Sequence, residues 1–321
     1  MRSTKIDNNW KFRSSWKEET GKLPFPLTND YLFKALTQEN LVALKDLISA
    51  CIHIKERKIR SISIMNPIVL GEQIDEKMFV LDVRVLMNNH TIINLEMQVL
   101  NYHDWPERSL QYLCRSFNSL HSGENYLDSK IAIHVSILDF NLFPKGSTLH
   151  ASNRMMNVKT HKVYSDKLQL YTICLPRAKK PSEEDKYYHT DLWASFFKAK
   201  TWEDLKMLAK ESEAIETASA TIHKLIAQQK IRDQIQARED YYRRMRTEEL
   251  KKQKLVKDLQ AAKKEAEEAE KAKMEAEKAR KEAQLDAEKA RKEAEMAKNE
   301  NADAKKEIER LRKLLEANGI K

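Results

Sequence analysis

Asp82 and Glu96 are the residues of this chain whose types and spacing point most directly at chemistry. Residues 79–85 alternate, with Phe79, Leu81, Val83 and Val85 on one face and Asp82 and Arg84 on the other. Residues 92–100 do the same, setting Ile93, Leu95, Met97 and Val99 against Asn94, Glu96 and Gln98. Asn88-Asn89-His90 between them is turn-forming sequence. A hairpin centred on Asn89 sets Asp82 opposite Glu96, about 5 Å apart at Cβ. Like charges opposed across a sheet destabilise it, so the pair needs a counter-charge. A hard divalent cation, Mg2+ above all, supplies one through oxygen ligands, with waters and a substrate phosphate completing its shell. Such an ion lowers the pKa of an attacking water and stabilises charge developing on the phosphate. The plain alternative is a pair of solvated carboxylates on an exposed face, with Arg84 neutralising Asp82.

The elements that must hold this pair can be read on either side of it. Helical spacing begins near Thr28, and Leu41, Leu44, Leu47, Ile48 and Cys51 form one apolar stripe. A strand is expected over residues 60–70, stopped or bent at Pro67. After the hairpin, Asp104 with Glu107 reads as a capping box, and Pro106 is tolerated in a first helical turn. On a helical wheel Leu110, Leu113, Cys114, Phe117 and Leu120 share one face, opposite Arg108, Tyr112, Arg115 and Ser119, and Gly123 ends the helix. Residues 131–138 are a nearly continuous apolar run, the mark of an interior strand, with His134 a satisfied core residue. Strand, helix, strand at this spacing predicts a right-handed crossover and a parallel pairing. A further strand fits residues 168–175. The fold class expected is α/β, a mixed sheet flanked by helices, followed by a long charged helix or coiled coil.

Composition narrows the function classes. All seven prolines lie at or before Pro181, and no Gly or Pro occurs over residues 182–318. A globular domain followed by helix is the reading. Cys51, Cys114 and Cys174 are scattered and lack paired spacing, as in a reducing cytoplasm. The polar N-terminus and the absence of a long apolar run predict no signal peptide, no spanning helix and no membrane partner. The formal net charge is +9, of which residues 1–260 carry +8. That distribution suits a protein meeting phosphate, although many domains without nucleic-acid partners share it. The nine histidines form no metal-ligand pair spacing, and no phosphate-cradling glycine loop or nucleophile elbow occurs.

Taken in order, five short segments resemble the PD-(D/E)XK nuclease superfamily, in particular its Rpn branch of recombination-promoting nucleases. They are Asp30-Tyr31-Leu32-Phe33-Lys34, Leu81-Asp82-Val83, Asn94-Leu95-Glu96-Met97-Gln98, Arg108-Ser109-Leu110-Gln111-Tyr112 and Ile137-Leu138-Asp139-Phe140. The likeness covers about residues 25–180 and continues more weakly to about 245. It implies a restriction-endonuclease-like fold and a metal-dependent DNA endonuclease associated with recombination or transposition. Asp82 and Glu96 would be catalytic ligands of Mg2+ or another hard divalent cation, joined by Asp30 and the Met97 carbonyl. Asp30 also has an ordinary role open to it, a negative charge at a helix N-terminus. Arg108, Tyr112 and Arg115 would contact DNA phosphates, or simply form a solvated face.

One position departs from the superfamily pattern: Gln98 stands where a lysine is usual. An amide can orient a water or a phosphate oxygen but adds no charge. Arg84, Lys77 and Arg108 are the cations that could replace it. The departure sets three readings side by side: an active nuclease, a catalytically degenerate DNA-binding protein of the same fold, and a coiled-coil scaffold with a protein-interaction head.

The domain organisation expected is a polar arm (1–24), a nuclease-like domain (25–180), a helical extension (181–260) and an Ala/Glu/Lys-rich helix (261–321). In that last segment residues 276–283 recur at 287–294. Alanines at steps of three and four average the coiled-coil period, and Ile308, Leu311 and Leu315 have a/d spacing. A helix about 85 Å long over residues 261–317 follows at ~1.5 Å per residue, with a homodimer through its C-terminal turns as one outcome and a lone charged helix as the other.

Overall fold

The computed structural model describes residues 13–68, 70, 82–118, 125–143 and 145–317, with side chains described as far as residue 314. Helices α1 (Asp30–Glu39) and α2 (Leu41–Ile52) begin at Asn29 and Asn40, whose side chains accept from the amides of Leu32 and Ala43. Each asparagine thereby satisfies a helix donor that has no intrahelical partner.

The sheet has six strands: β1 (Ile62–Ile64), β2 (Val83–Met87), β3 (Thr91–Gln98), β4 (Ile131–Leu138), β5 (His150–Met156) and β6 (Val163–Cys174), in spatial order β1-β2-β3-β4-β6-β5. The β2–β3 hairpin has the register expected from the sequence, Val83 opposite Leu95 and Arg84 opposite Asn94. Asn88 and Asn89 carry positive φ (51° and 62°), the pair of left-handed residues that a twisted hairpin turn requires. The Asn88 side chain also accepts from the amides of Arg60 and Ser61, pinning the turn to the approach of β1. The strand expected over residues 60–70 is only three residues long. Beyond it the Asn66 side chain replaces the ladder, accepting from Arg84 N at 2.9 Å and donating to Asp82 O at 3.1 Å.

β3 and β4 pair in parallel, as do β4 and β6, with α3 (Trp105–Phe117) between β3 and β4 in the chain. β5 was not anticipated; it lies antiparallel on the edge of β6 with register shifts around Met155. The helix α3 differs from expectation in two ways. Asp104 makes no side-chain cap, and its buried residues are Trp105, Ser109, Leu113 and Ser116, while Leu110 is 54% exposed and Cys114 is exposed. Its helical residues end at Phe117 with Asn118 as C-cap; Leu120, Gly123, Lys77, Phe79 and Leu81 lie outside the described residues.

The opposite face of the sheet carries the core. Val83, Val85, Ile93, Leu95, Met97, Val135, Ile137 and Ile173 pack with α1, α2 and the helices that follow the sheet. These are α4 (Glu183–Tyr187), α5 (Thr190–Lys198), α6 (Trp202–Leu208), α7 (Glu213–Ile226) and α8 (Gln229–Ala317). Trp193, Phe196, Trp202, Ile222, Ile231 and Ile235 enter the same core, each contributing about 1.5–3 kcal/mol if fully removed from water.

The chain divides into two compact units, residues 1–246 and 247–321, with α8 running through the boundary. In the second unit every described side chain from Leu250 onward is exposed, Ile308 and Leu311 included. Pairs such as Glu277–Lys281 and Glu288–Lys292, each 2.9 Å apart, support that helix along its surface. No helix among the described residues is long and apolar enough to cross a membrane.

Candidate active site

Glu96 stands on β3 beside Ser136 of β4 and is 6% exposed. Period-2 alternation sends Leu95 and Met97 into the core and Glu96 to the face that α3 covers. Arg108 Nη2 donates to Glu96 Oε1 at 3.0 Å, whereas Oε2 is buried and has no hydrogen-bond partner among the described residues. Burial pushes the Glu96 carboxyl up to about 8; Arg108 pulls against that, and the Asp82 and Asp30 carboxylates push the same way as burial.

Asp82 precedes β2, one residue beyond the last ladder pair of the hairpin. Its carboxyl is also pushed up by burial, opposed by the charges of Lys34 and Arg84 and by Asn66 Nδ2, 3.3 Å from Oδ1. Lys34 is buried in α1 and donates through Nζ to the Asp82 carbonyl at 2.6 Å. Burial lowers the lysine pKa, against the pull of Asp82.

Asp30, the first residue of α1, has a partner that neither its helix-terminal position nor the sequence motif announces. Arg238 from α8 grips it with two donors, Nε to Oδ1 at 2.9 Å and Nη2 to Oδ2. The guanidinium lies 5.1 Å from the Tyr241 ring and 5.3 Å from the Tyr242 ring. Burial and the Asp30 charge raise the Tyr242 pKa, and burial with a hydrogen bond to Tyr241 pushes the Tyr102 phenol up to about 12.

These side chains enclose a cavity of about 110 Å³ with Asp30, Glu96, Met97 and Gln98 on its wall beside Arg108, Arg238, Tyr102, Tyr241 and Tyr242. Gln98 donates from Nε2 to Leu100 O at 2.7 Å, so its amide nitrogen is committed to the backbone. Arg108 stacks on Trp105 and Tyr112 (5.1 and 5.8 Å), which orients its fork toward Glu96. Arg108 is therefore half-buried at the cavity, and Tyr112 half-buried beside it over His134, rather than on an outer helix face; Arg115 is exposed. His134 is fully buried, stacked under Tyr112 at 5.7 Å, and pushed down to about 3 by burial and Arg108. It is only half satisfied, since Nδ1 meets Asn94 Nδ2 at 3.2 Å while Nε2 lacks a partner among the described residues. Asp139, from the later motif, is paired with Lys198 at 2.7 Å.

The donors here are hard oxygens, one of them buried and unpartnered, and the Asp82 and Asp30 charges raise the Glu96 pKa; that set fits a hard divalent cation. The carboxylates do not close on one point, however. Among the described residues the group whose ligand atoms all lie within 4.8 Å of one another is His53, His150 and Asp185, built from the end of α2, the start of β5 and α4. Its imidazoles stack face to face, 3.6 Å between centroids and 12° between planes, so their in-plane lone pairs run side by side rather than converging. Thr190 Oγ1 donates to Ala50 O and so accepts from His53 Nε2, while His150 Nε2 donates to Cys51 O.

Sequence reasoning missed Arg238, Tyr241 and Tyr242 as a set. Their i, i+3, i+4 spacing was a legible cation–aromatic signal, but nothing local tied it to Asp30.

The model of a family described as PD-(D/E)XK nuclease family transposase matches residues 27–248, a span that contains every wall of this cavity. No curated protein and no solved structure matches the chain.

Proposed function

The chain belongs to the PD-(D/E)XK nuclease family transposases, and from that premise we propose that it is a cytoplasmic, metal-dependent DNA endonuclease acting in recombination or transposition. The observation that carries the reading is Glu96, a buried carboxylate with one unpartnered oxygen, electrostatically linked to Asp82 and Asp30. Asp82 and Glu96 would hold Mg2+, with Asp30 and the Met97 carbonyl as further oxygen donors. When bound, the cation supplies an activated water and neutralises charge on the phosphate.

The chain's own groups do the rest. Lys34 and Asn66 fix the Asp82 backbone through hydrogen bonds to its carbonyl (2.6 and 3.1 Å), holding its carboxylate beside the hairpin. Gln98, anchored through its nitrogen to Leu100 O, offers its amide oxygen to orient the attacking water. Arg108 at the cavity, Tyr112 against it and Arg115 further along the same helix bind DNA phosphates. Water then displaces the leaving oxygen in line, without a covalent enzyme intermediate. Nicking of plasmid DNA in Mg2+ by the wild type, and its loss in Asp82→Asn and Glu96→Gln, tests this; equal nicking by all three sinks it.

The departure at Gln98 favours a second reading, a degenerate nuclease that binds or bridges DNA. Salt-sensitive duplex binding without cleavage in any divalent metal would mark it. In either case we infer weak self-association through the C-terminal turns of α8, where Ile308 and Leu311 are exposed. Sedimentation at tens of micromolar separates this from a lone helix, with the full chain a dimer and its truncation at Ala261 a monomer if the tail dimerises, and both monomeric if it does not.

A further inference from the structure

We propose that Arg238 is a phosphate-binding residue of this site that reaches the role by exchange: without metal its guanidinium neutralises Asp30, and metal loading passes it to the DNA phosphate. The inference rests on the nuclease reading and deepens it.

Charge is the first reason. Two carboxylates and two guanidiniums line one cavity and pair one to one, Glu96 with Arg108 and Asp30 with Arg238. Carboxylates that take a dication no longer need those arginines. Two guanidiniums then remain in a space of about 110 Å³, and they call for an anion. A phosphodiester, which accepts forked hydrogen bonds from guanidinium as a carboxylate does, is the ligand that matches them.

The second reason is how Arg238 is held. Tyr241 and Tyr242, three and four positions on and so about one helical turn away, lie against its guanidinium. Ring faces keep a guanidinium in place whatever anion its edge is meeting, so the arginine can change partners without losing its platform. Separate contacts tie this part of α8 to α1, because Asn29 Nδ2 donates to Glu239 Oε1 at 2.8 Å and to Ile235 O at 3.3 Å. The helix therefore keeps an attachment when the Asp30 pair opens.

The third reason is the missing lysine. Gln98 brings no charge, and Lys34 is committed through Nζ to the Asp82 carbonyl. Arg238 brings a cation to the same cavity wall from a helix that begins 131 residues after Gln98.

Exchange makes metal and DNA binding mutually reinforcing, each raising the affinity for the other by the same factor. It also predicts opposite signs for one substitution. In the full-length protein without DNA, Arg238→Gln removes the competitor for Asp30, and calorimetric Mn2+ binding should tighten by about fivefold or more. Binding of a duplex oligonucleotide in Ca2+ should weaken by about tenfold. Gln98→Lys added to Arg238→Gln should recover most of the DNA binding, which a lost helix staple would not allow. Should Arg238→Gln fail to fold, Arg238→Lys decides alone: it keeps the charge but loses the fork, and both effects should appear in smaller size. Metal affinity that is unchanged or weaker in the folded variants overturns the exchange, as does unchanged DNA affinity. Wild type and Asp82→Asn that bind Mn2+ alike would overturn the parent reading instead.

Discussion

His53, His150 and Asp185 on one side, and Asp30, Asp82 and Glu96 on the other, are two groups of candidate metal ligands in the same unit, and proximity and availability rank them in opposite orders. The first group is close-packed, yet its members are committed: both Nε2 atoms are used, and Asp185 Oδ2 accepts from Ser182 N and Oγ at the start of α4. The second is looser, yet Glu96 keeps a buried oxygen without a partner, and its counter-ions are long arginine side chains. A histidine locked between a stacked ring and a hydroxyl can move only by breaking local structure. An arginine can leave a carboxylate and meet another anion. Availability, rather than distance, separates a structural cluster from a candidate site.

The largest expected difference between the groups is in cleavage. Asp82→Asn or Glu96→Gln should lower the initial rate of plasmid nicking in Mg2+ by about a thousandfold or more. His53→Gln and His150→Gln should leave it within about twofold of the wild type, since uncharged contacts outside the cavity do not enter the chemistry. A comparable loss from either histidine would erase the distinction.

Acidity should separate the groups next. Glu96, pushed up to about 8, holds a proton in the folded protein that the unfolded chain releases near its ordinary 4.5. Folded-state proton uptake favours the fold at low pH, so this contribution is lost as pH rises from about 4.5 toward 8. Metal must displace the same proton, so Mn2+ affinity should climb by up to about tenfold per pH unit below 8 and level off above it. Calorimetry in buffers of different ionisation enthalpy should count one proton released at pH 7, and none in Glu96→Gln.

Stability should invert the ranking. Asp185→Ala removes the capping box of α4, and His150→Ala removes a ring stack and a bond to Cys51 O; each should cost about 1–3 kcal/mol in urea unfolding. Glu96→Gln should cost nothing or stabilise the metal-free protein, because a neutral amide avoids the burial penalty that pushes the Glu96 carboxyl up to about 8. The smallest effect is expected at Gln98→Lys, which restores the superfamily's cation and should retain or raise nicking by a few-fold. Complete loss of nicking there would mean that the Gln98 amide is required.

Much of this frame could be read from the chain itself. Alternation on both sides of Asn88-Asn89 specified the hairpin register, because a two-residue period and a short turn leave no other pairing with both apolar faces buried. The apolar run of β4 announced an interior parallel strand. Orientation of α3 was not legible. A helical wheel identifies the apolar side, which normally faces the sheet, but this sheet face carries Asn94, Glu96, His134 and Ser136. The helix turns Arg108, Ser109 and Tyr112 toward those groups and leaves Leu110 outward. β5 escaped notice because Asn153, Arg154, Met155 and Met156 sit on an edge with a bulge and show no clean alternation.

Sequence by itself determined most of the elements and the register of the hairpin, and it singled out the candidate carboxylates. Those depend on residues within a few positions of one another and on periods that the backbone imposes. Only the tertiary structure decided which cation each carboxylate meets. Asp30 and Arg238 are 208 positions apart, and a buried charge takes whatever counter-ion the packing of α8 against α1 delivers, a choice on which no local period bears.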